Sequence, residues 1–597
     1  MNEVKKSQIE FVIFCMKLAL AQINPLTRDL EGNTQKIVEF IRKAKKLGAE
    51  IVAFPELSIT GYCMADNFNR MHFIRENKRL LQEVIAPETK DIVAIVGFVD
   101  YEESKTMRTG KKVKWNAAAV IQDGKILQIR HKSLLPNYDV FDDWRYFKAG
   151  TEEDVKPIEI NINNKKIKLG VLICEELWED DYDFLKPVQL MKKRGAELLI
   201  SISASPSYFS RIEKRIEVCK KRINETNLPL VYVNTVGIGD IGKNIIPFDG
   251  FSMVFNKEGN LLDCAALFEE DLKIVDLEST KTIQTPNLDR WKLMYDQLVM
   301  SVKDYFNKLG FKKAVIGLSG GIDSALVACI AVDAIGKENI LGVNMPSRFN
   351  ADITKDAARD LAKNLGIKYL VWPIEEIVDV NRKLYKQILN KELKGVADEN
   401  PQARLRGNTL MTISNAENYL VLSTGNKTEV ALGYCTLYGD MVGGLDVIGD
   451  INKIEVYKLS DYVNKKSGRE IIPEASIKVK ASAELSSEQD VTKGKGDPFD
   501  YFVVAPLVDE IVNNDEFWVE DLVEKFKNKE FDKEIWLPDE KGKNVYEKFT
   551  VEEFRKFLFE IIKKIDASAY KRMQAAPIIR ASSNAFGWDY REAIVKK

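Results

Sequence analysis

A polar, proline-ended stretch, Glu278-Ser279-Thr280-Lys281-Thr282-Ile283-Gln284-Thr285-Pro286-Asn287, breaks a regular alternation of strands and helices into two runs, and no other feature limits the possible folds so strongly. Proline has no backbone N–H and polar side chains build no core, so neither run can continue through it. Upstream, short apolar runs rich in β-branched residues read as strands at 18–23, 50–54, 92–97, 169–173 and 198–202, and an amphipathic segment reads as a helix at 33–47. Downstream the rhythm resumes: strand 314–318, helix 325–334, strand 340–344, helix 354–365, strand 369–372. Such spacing predicts parallel strands joined by right-handed helical crossovers. Two α/β domains are expected, residues 16–276 and 290–597, with 277–289 as linker; 597 residues suffice for both cores.

Lysine plus arginine (88) nearly balances aspartate plus glutamate (90), so there is no basic field for a phosphate backbone or an anionic membrane. The seven cysteines are odd in number, scattered and free of Cys-x-x-Cys spacing, which argues against a disulfide framework or structural zinc and for a reducing cytoplasm. With only His72 and His131 present, catalysis must lean on other residue types. The apolar patch 11–16 follows Lys5 and Lys6 as in a signal peptide, but it is short, bounded by Glu10 and Lys17, and lacks a small-residue cleavage site. Nothing approaches the ~20 apolar residues that span a bilayer. A soluble enzyme of small-molecule chemistry is expected, with neither nucleic acid nor membrane as partner.

Three reactive side chains each stand directly after an apolar strand: Glu56 after 51–55, Lys132 after 126–131 and Cys174 after 171–173. Strand ends on one edge of a sheet converge. Singly, each has a plain reading as turn residue, solvated cation and small core residue. Together they supply a base, a cation for a developing oxyanion and a nucleophile, which is what amide cleavage through a thioester needs.

Phe54-Pro55-Glu56-Leu57-Ser58-Ile59-Thr60-Gly61-Tyr62, then His131-Lys132-Ser133-Leu134-Leu135-Pro136-Asn137-Tyr138, then Ile173-Cys174-Glu175-Glu176-Leu177-Trp178 resemble, in order and spacing, the nitrilase (carbon-nitrogen hydrolase) family over nearly all of 16–276. The pattern begins at Met16, and residues 1–15 match nothing in it. The resemblance implies a four-layer α-β-β-α sandwich in which Cys174 attacks a glutamine amide, Glu56 is the general base and Lys132 stabilises the tetrahedral intermediate. It places Tyr138, Ser205 and Arg211 at the bound glutamine, Arg211 being the natural bidentate partner of an α-carboxylate. Family members often carry a Glu beside the catalytic lysine; this chain has Asp143, one methylene shorter, which is not counted among the catalytic residues.

Gly237-Ile238-Gly239-Asp240-Ile241-Gly242-Lys243 imitates a dinucleotide or phosphate loop, but Asn244 stands where a Mg-binding hydroxyl is needed and no helix follows, so it reads as a loop entering a strand at 251–255. Ser319-Gly320-Gly321-Ile322-Asp323-Ser324 does lie between a strand and a helix. Its glycines let backbone N–H groups approach phosphate oxygens, its serines donate, and Asp323 can hold Mg²⁺. The hexapeptide resembles the pyrophosphate loop of the N-type ATP pyrophosphatases, a group with several members. Met345-Pro346-Ser347-Arg348-Phe349, the run from Glu399 to Gly407, Ser423 to Glu429, Gly433 to Asp440 and Tyr570-Lys571-Arg572 resemble, within that group, the NAD synthetase family over 290–590. The fold implied is a Rossmann-like parallel sheet.

By that resemblance Gly317, Leu318, Ser319, Gly320, Gly321, Ile322, Asp323, Ser324 and Thr424 hold ATP, and Asp323 and Glu429 hold magnesium. Asn400, Glu429, Tyr434, Cys435, Thr436, Leu437, Lys453 and Lys571 meet deamido-NAD, the two lysines at its phosphates. Residues 484–500 depart from the family's mobile loop, and 493–497 read as mobile. With a nitrilase-like half upstream, the whole implies glutamine hydrolysis, passage of ammonia through a sheltered tunnel, and amidation of an adenylated carboxylate. Glutamine, ATP and deamido-NAD would be substrates, Mg²⁺ the ion, no prosthetic group is implied, and a homo-oligomer is expected. The alternatives are a nitrilase half feeding another ATP pyrophosphatase, separable by its acceptor, and a silent nucleotide-binding regulator, excluded by turnover of glutamine.

Overall fold

The computed structural model describes residues 16–107, 110–514, 518–539 and 541–592; residues 1–15, with the apolar patch expected there, lie outside this set. Two compact units form, one from residues up to 239 together with 248–287, the other from 240–247 together with residues from 288 onward.

In the first unit one sheet runs, in hydrogen-bonded order, Asp271–Asp276, Lys17–Gln22, Ile51–Ala53, Val93–Thr106, Lys112–Gln122, Lys125–His131; a second runs Leu261–Cys264, Met253–Phe255, Leu230–Asn234, Leu198–Ser203, Lys165–Ile173, Ile158–Ile162. Period-2 alternation decides how they stack. Leu18 and Leu20 point into a core shared with Val171, Ile173, Ile200 and Val231 of the other sheet. Ala19 and Ala21 face the opposite way, onto Ile37, Val38, Ile41 and Ala44 of the helix Leu30–Lys46. Asp29 caps that helix by accepting from Gly32 N at 3.0 Å, and Lys43, Lys45 and Lys46 complement its C-terminal dipole. Helices Pro187–Lys193 and Arg211–Thr226 cover the outer face of the second sheet. The layers are therefore α-β-β-α.

The second unit holds a parallel sheet ordered Ile578–Ile579, Leu445–Asp446, Leu420–Ser423, Ala314–Gly317, Ile340–Asn344, Lys368–Val371. Strand order reverses between Ala314–Gly317 and Leu420–Ser423, so a crevice opens at their carboxyl ends. The helices Ile322–Ile335 and Asp352–Leu365 make the crossovers. Further helices, Tyr501–Val512, Val519–Asn528 and Val551–Arg572, close a separate apolar core around Phe526, Phe531, Trp536 and Phe554.

The stretch that imitates a phosphate loop leads into a strand, Asn244–Asp249, and not a helix. Asn244 and Ile245 pair in parallel with Ile578 and Ile579. The fully buried Asn244 amide donates to Phe586 O at 3.1 Å and accepts from the N–H groups of Trp588 (2.6 Å) and Asp589 (3.1 Å). The residue that spoils a magnesium site thus clasps the C-terminal segment.

His131, at the end of its strand, stacks on Trp115 (centroids 4.5 Å apart, planes at 11°) with Nε2 2.9 Å from Asp100 Oδ2 and Nδ1 3.1 Å from Asp154 Oδ1. Burial alone would lower the imidazole pKa, but the two carboxylates outweigh it and hold it raised. Both carboxyls are held below their ordinary range despite burial, Asp154 chiefly by His131 and Asp100 by His131 and Lys78.

Two outcomes are expected. Asn244→Ala leaves buried backbone groups unsatisfied at about 1–3 kcal/mol each, so urea unfolding of the second unit should show a loss of roughly 2–4 kcal/mol; an unchanged transition would mean water replaces the amide. The His131 cluster contributes fully between about pH 4, above the unfolded carboxylate values, and about pH 6.5, the unfolded imidazole value, and less as pH rises through the raised folded value. His131→Gln should therefore lower the melting temperature more at pH 6 than at pH 9, and an equal loss at both would show a neutral folded imidazole.

Candidate active sites

Glu56, Lys132 and Cys174 each leave the carboxyl end of a strand, and the structure brings the first two into contact: Lys132 Nζ lies 2.7 Å from Glu56 Oε1. Asp143 also reaches the lysine, at 2.8 Å, although its side chain is shorter than the Glu expected there. Both carboxylates are held in turn. Asn116 Nδ2 donates to Glu56 Oε1 at 2.7 Å, Ala204 N to Glu56 Oε2 at 3.0 Å, and Tyr62 OH to Asp143 Oδ1 at 2.8 Å. The segment carrying Glu56 lies so close to the strand Val93–Thr106 that a Cβ on Gly97 would come within 2.4 Å of Pro55 O and 2.5 Å of Leu57 N. Only glycine fits there.

Cys174 opens the 3₁₀ turn Cys174–Asp181 with φ of 45°, a left-handed backbone that is strained for a residue with a Cβ. The turn swings its side chain away from the core that Ile173 joins. Burial pushes the thiol pKa up, the charge of Glu56 adds to this, and Lys132 opposes it. Glu56 is likewise raised, first by burial and then by Asp143, against the pull of Lys132. Burial would lower the Lys132 ammonium, but Asp143 and Glu56 overcome it and keep it cationic. A neutral thiol, a carboxyl of raised basicity and a fixed cation occupy one buried spot.

Of the residues expected at glutamine, Arg211 Nε lies 3.4 Å from Ser205 Oγ, and its guanidinium sits over the Trp178 ring at 4.4 Å. Tyr138 OH instead donates to Glu175 Oε2 at 2.9 Å, where Tyr182 OH also donates, to Oε1, at 2.9 Å. Glu175 is buried, and its carboxyl is raised by that burial. Sequence reasoning passed over Asn116, Tyr62, Glu175 and the Ala204 N–H. A polar residue at a buried strand position would have marked Asn116, whereas a backbone N–H carries no sequence signal.

In the second unit a cavity of about 440 Å³ lies at the crevice where strand order reverses. Gly317 to Ser324, Thr424, Asn400, Glu429, Tyr434, Cys435, Thr436, Lys453 and Lys571 line it; Leu437 does not, and its carbonyl instead accepts from Arg404 Nε at 3.1 Å. Gly320 turns the loop with φ of 91°, and a Cβ there would stand 2.0 Å from Thr354 O. Ser319 and Ser324 hydroxyls are 3.3 Å apart, and Gly321 N donates to Ser319 Oγ at 3.1 Å. Lys453 Nζ pairs with Asp323 and lies 4.0 Å from Glu429, while Asn426 Nδ2 donates to Asp323 Oδ1 at 3.0 Å. Lys571 Nζ donates to the carbonyls of Gly433 and Cys435 at 2.7 and 2.9 Å, and Thr436 Oγ1 to Asn400 Oδ1 at 2.9 Å. Asp497 ties residues 481–497 to this wall by accepting from Tyr434 OH and Tyr501 OH, each at 2.9 Å.

Residues 17–287 match the carbon-nitrogen hydrolase family and residues 294–556 the NAD synthase family. The chain is 35% identical to a glutamine-dependent NAD(+) synthetase of Thermotoga maritima over 98% of this chain and 99% of that protein, and 36% identical to one of Synechocystis sp. over 97% and 98%. Among solved structures it is similar to glutamine-dependent NAD+ synthetase from Acinetobacter baumannii in complex with adenosine diphosphate, at 33% identity and a TM-score of 0.71, covering 97% of this chain and 98% of that one. With both halves matched in order and relatives similar from end to end, the chain belongs to the glutamine-dependent NAD(+) synthetases.

Proposed function

We propose that the chain hydrolyses glutamine at Cys174 and uses the ammonia to convert deamido-NAD to NAD in an ATP-driven step at the cavity behind the Ser319–Ser324 loop. The observation that carries the reading is the buried Lys132 ammonium held against Glu56 at 2.7 Å in the unit that also presents Cys174 from a strained turn. Glu56 takes the thiol proton as Sγ attacks the glutamine side-chain carbonyl. Protonation of Glu56 weakens its hold on Lys132, which leaves the ammonium available to the new oxyanion. The proton passes to the amide nitrogen, the C–N bond breaks, ammonia departs and a thioester remains. Water, deprotonated by Glu56, then releases glutamate and restores the thiol. Arg211 and Ser205 suit the amino acid's carboxylate, and Glu175 its ammonium.

A carboxylate does not exchange its oxygen for ammonia unaided. Attack of the nicotinate carboxylate on the α-phosphorus of ATP expels pyrophosphate, ammonia attacks the adenylated carbonyl, and AMP leaves with NAD formed. Backbone N–H groups of the Ser319–Ser324 loop, the N-terminus of the helix Ile322–Ile335, Lys453 and Lys571 stabilise phosphate charge through these steps. Asp323 and Glu429 both face the one position that the Lys453 ammonium approaches, so their donor set suits a divalent cation bound mainly through substrate phosphates. Held by Asp323 and Glu429, magnesium would supply charge neutralisation of the triphosphate. Ammonia is mostly protonated near neutral pH, so its sheltered passage to the adenylate belongs to the proposal.

Mass detection of NAD after mixing the protein with ATP, Mg²⁺, glutamine and deamido-NAD is the direct test. Cys174→Ala should abolish synthesis from glutamine while ammonium salts at high pH still support it; loss of both would make the thiol structural. Asp323→Ala should abolish synthesis from either nitrogen source, and survival of ammonia-driven synthesis at the parent rate would refute the phosphate-cradle reading.

A further inference from the structure

We propose that Glu176 is a positioning residue whose single carboxylate sets the spacing between Lys132 and Cys174 by tying together the strand ends that carry them. This rests on the reading of Cys174 and Lys132 as nucleophile and oxyanion partner. The two residues come from different sheets, Lys132 after Lys125–His131 and Cys174 after Lys165–Ile173, so neither sheet's ladder fixes the distance between them. Glu176 spans that gap. Its Oε1 accepts from Arg130 Nη2 and from the backbone N–H of Ser133, both at 2.7 Å, and from the Ser133 hydroxyl. Its Oε2 accepts from the backbone N–H of Ile173 at 2.9 Å. Ser133 follows Lys132 directly and Ile173 directly precedes Cys174, so the carboxylate grips the main chain one residue from each reactive group.

The pair Arg130–Glu176 is fully buried on both sides. Such a pair contributes little to stability compared with an apolar pair of the same volume, because desolvation offsets the attraction. Its geometry does something an apolar pair cannot. Two backbone N–H groups from separate sheets are satisfied by one rigid, planar acceptor, which limits how far the strand ends can drift. The Lys132 backbone is already held on its own side, its N–H donating to Asn116 O of the adjacent strand at 2.8 Å and its carbonyl accepting from Gly150 N at 2.7 Å. The strained φ of Cys174 needs surroundings that over-determine it, and the bond to Ile173 N supplies part of them.

Spacing between thiol and ammonium matters when the oxyanion forms and hardly at all when glutamine binds, since the bonds of Glu176 reach none of Tyr138, Ser205 or Arg211. Loosening it should therefore lower kcat for glutamate release and leave KM for glutamine nearly unchanged. Glu176→Gln keeps the shape but has one oxygen and one NH₂, so either Ser133 N or Ile173 N meets a donor. A misplacement near 1 Å costs on the order of 100-fold, which is the expected fall in kcat. Arg130→Met/Glu176→Leu removes both charges and fills the space but accepts neither N–H; it should fold but melt below the parent, because two buried N–H groups lose their acceptor, and stay about 100-fold slow.

Glutamate release is measured for both variants, for Cys174→Ala and for the parent, with the folded fraction of each taken from its thermal transition. A kcat loss at nearly constant KM in both supports the inference, and where Glu176→Gln does not fold the double variant decides. A lowered melting temperature with unchanged kcat, a change confined to KM, or recovery of kcat in the double variant overturns it. If Cys174→Ala is inactive while Glu176→Gln works within about threefold of the parent, only this inference falls; if Cys174→Ala still releases glutamate, the reading beneath it falls as well.

Discussion

A lysine ammonium removed from water and held between two carboxylates is the interaction on which the first site depends. Desolvating an ion costs several kcal/mol even after relaxation, so Lys132 can be buried and charged only because Glu56 and Asp143 both touch it. Those carboxylates pass the requirement outward. Glu56 needs Asn116 and the Ala204 N–H, and Asp143 needs Tyr62, so residues from both sheets and from the loop after Ile51–Ala53 are bound into one network. The α-β-β-α stacking provides the dry gap in which such a network has high electrostatic weight.

Acid is in excess in that gap. Glu56 and Asp143 both touch one ammonium, burial disfavours the negative charges of Glu56 and of nearby Glu175, and Glu56 responds by gaining basicity. The same surroundings raise the Cys174 thiol, burial first and the Glu56 charge next, and so favour its neutral form.

The second unit meets a comparable demand by other means. Its parallel sheet reverses strand order between Ala314–Gly317 and Leu420–Ser423, which brings the loop after one strand and Thr424 after the other to a single cavity. There Lys453 is buried against Asp323 with Glu429 near by, and Asn426 holds Asp323 from the far side. The loop enters the helix Ile322–Ile335 through Gly320, whose left-handed φ and close approach to Thr354 O leave no room for a side chain.

The sequence by itself determined the class of each half and most strand and helix positions to within a few residues, and it placed Glu56, Lys132 and Cys174 at strand ends. Those are local matters: alternation with period 2 or 3.6, a proline, a glycine pair before a helix. It also dismissed the loop imitation at 237–243, because Asn244 is the wrong donor for magnesium. Only the tertiary structure decided that Asn244 clasps the C-terminal segment, that residues 240–247 group with the second unit, that Asp143 reaches Lys132, and that Leu437 is not among the residues lining the cavity. It alone showed Glu176 bridging two strand ends and Asn116 and Ala204 N–H holding Glu56. Each of these is a distance between groups far apart in the chain, often involving a backbone atom identical in every residue. Local periodicity and residue chemistry carry no information about such a distance until the two sheets have packed and the strands have taken their order.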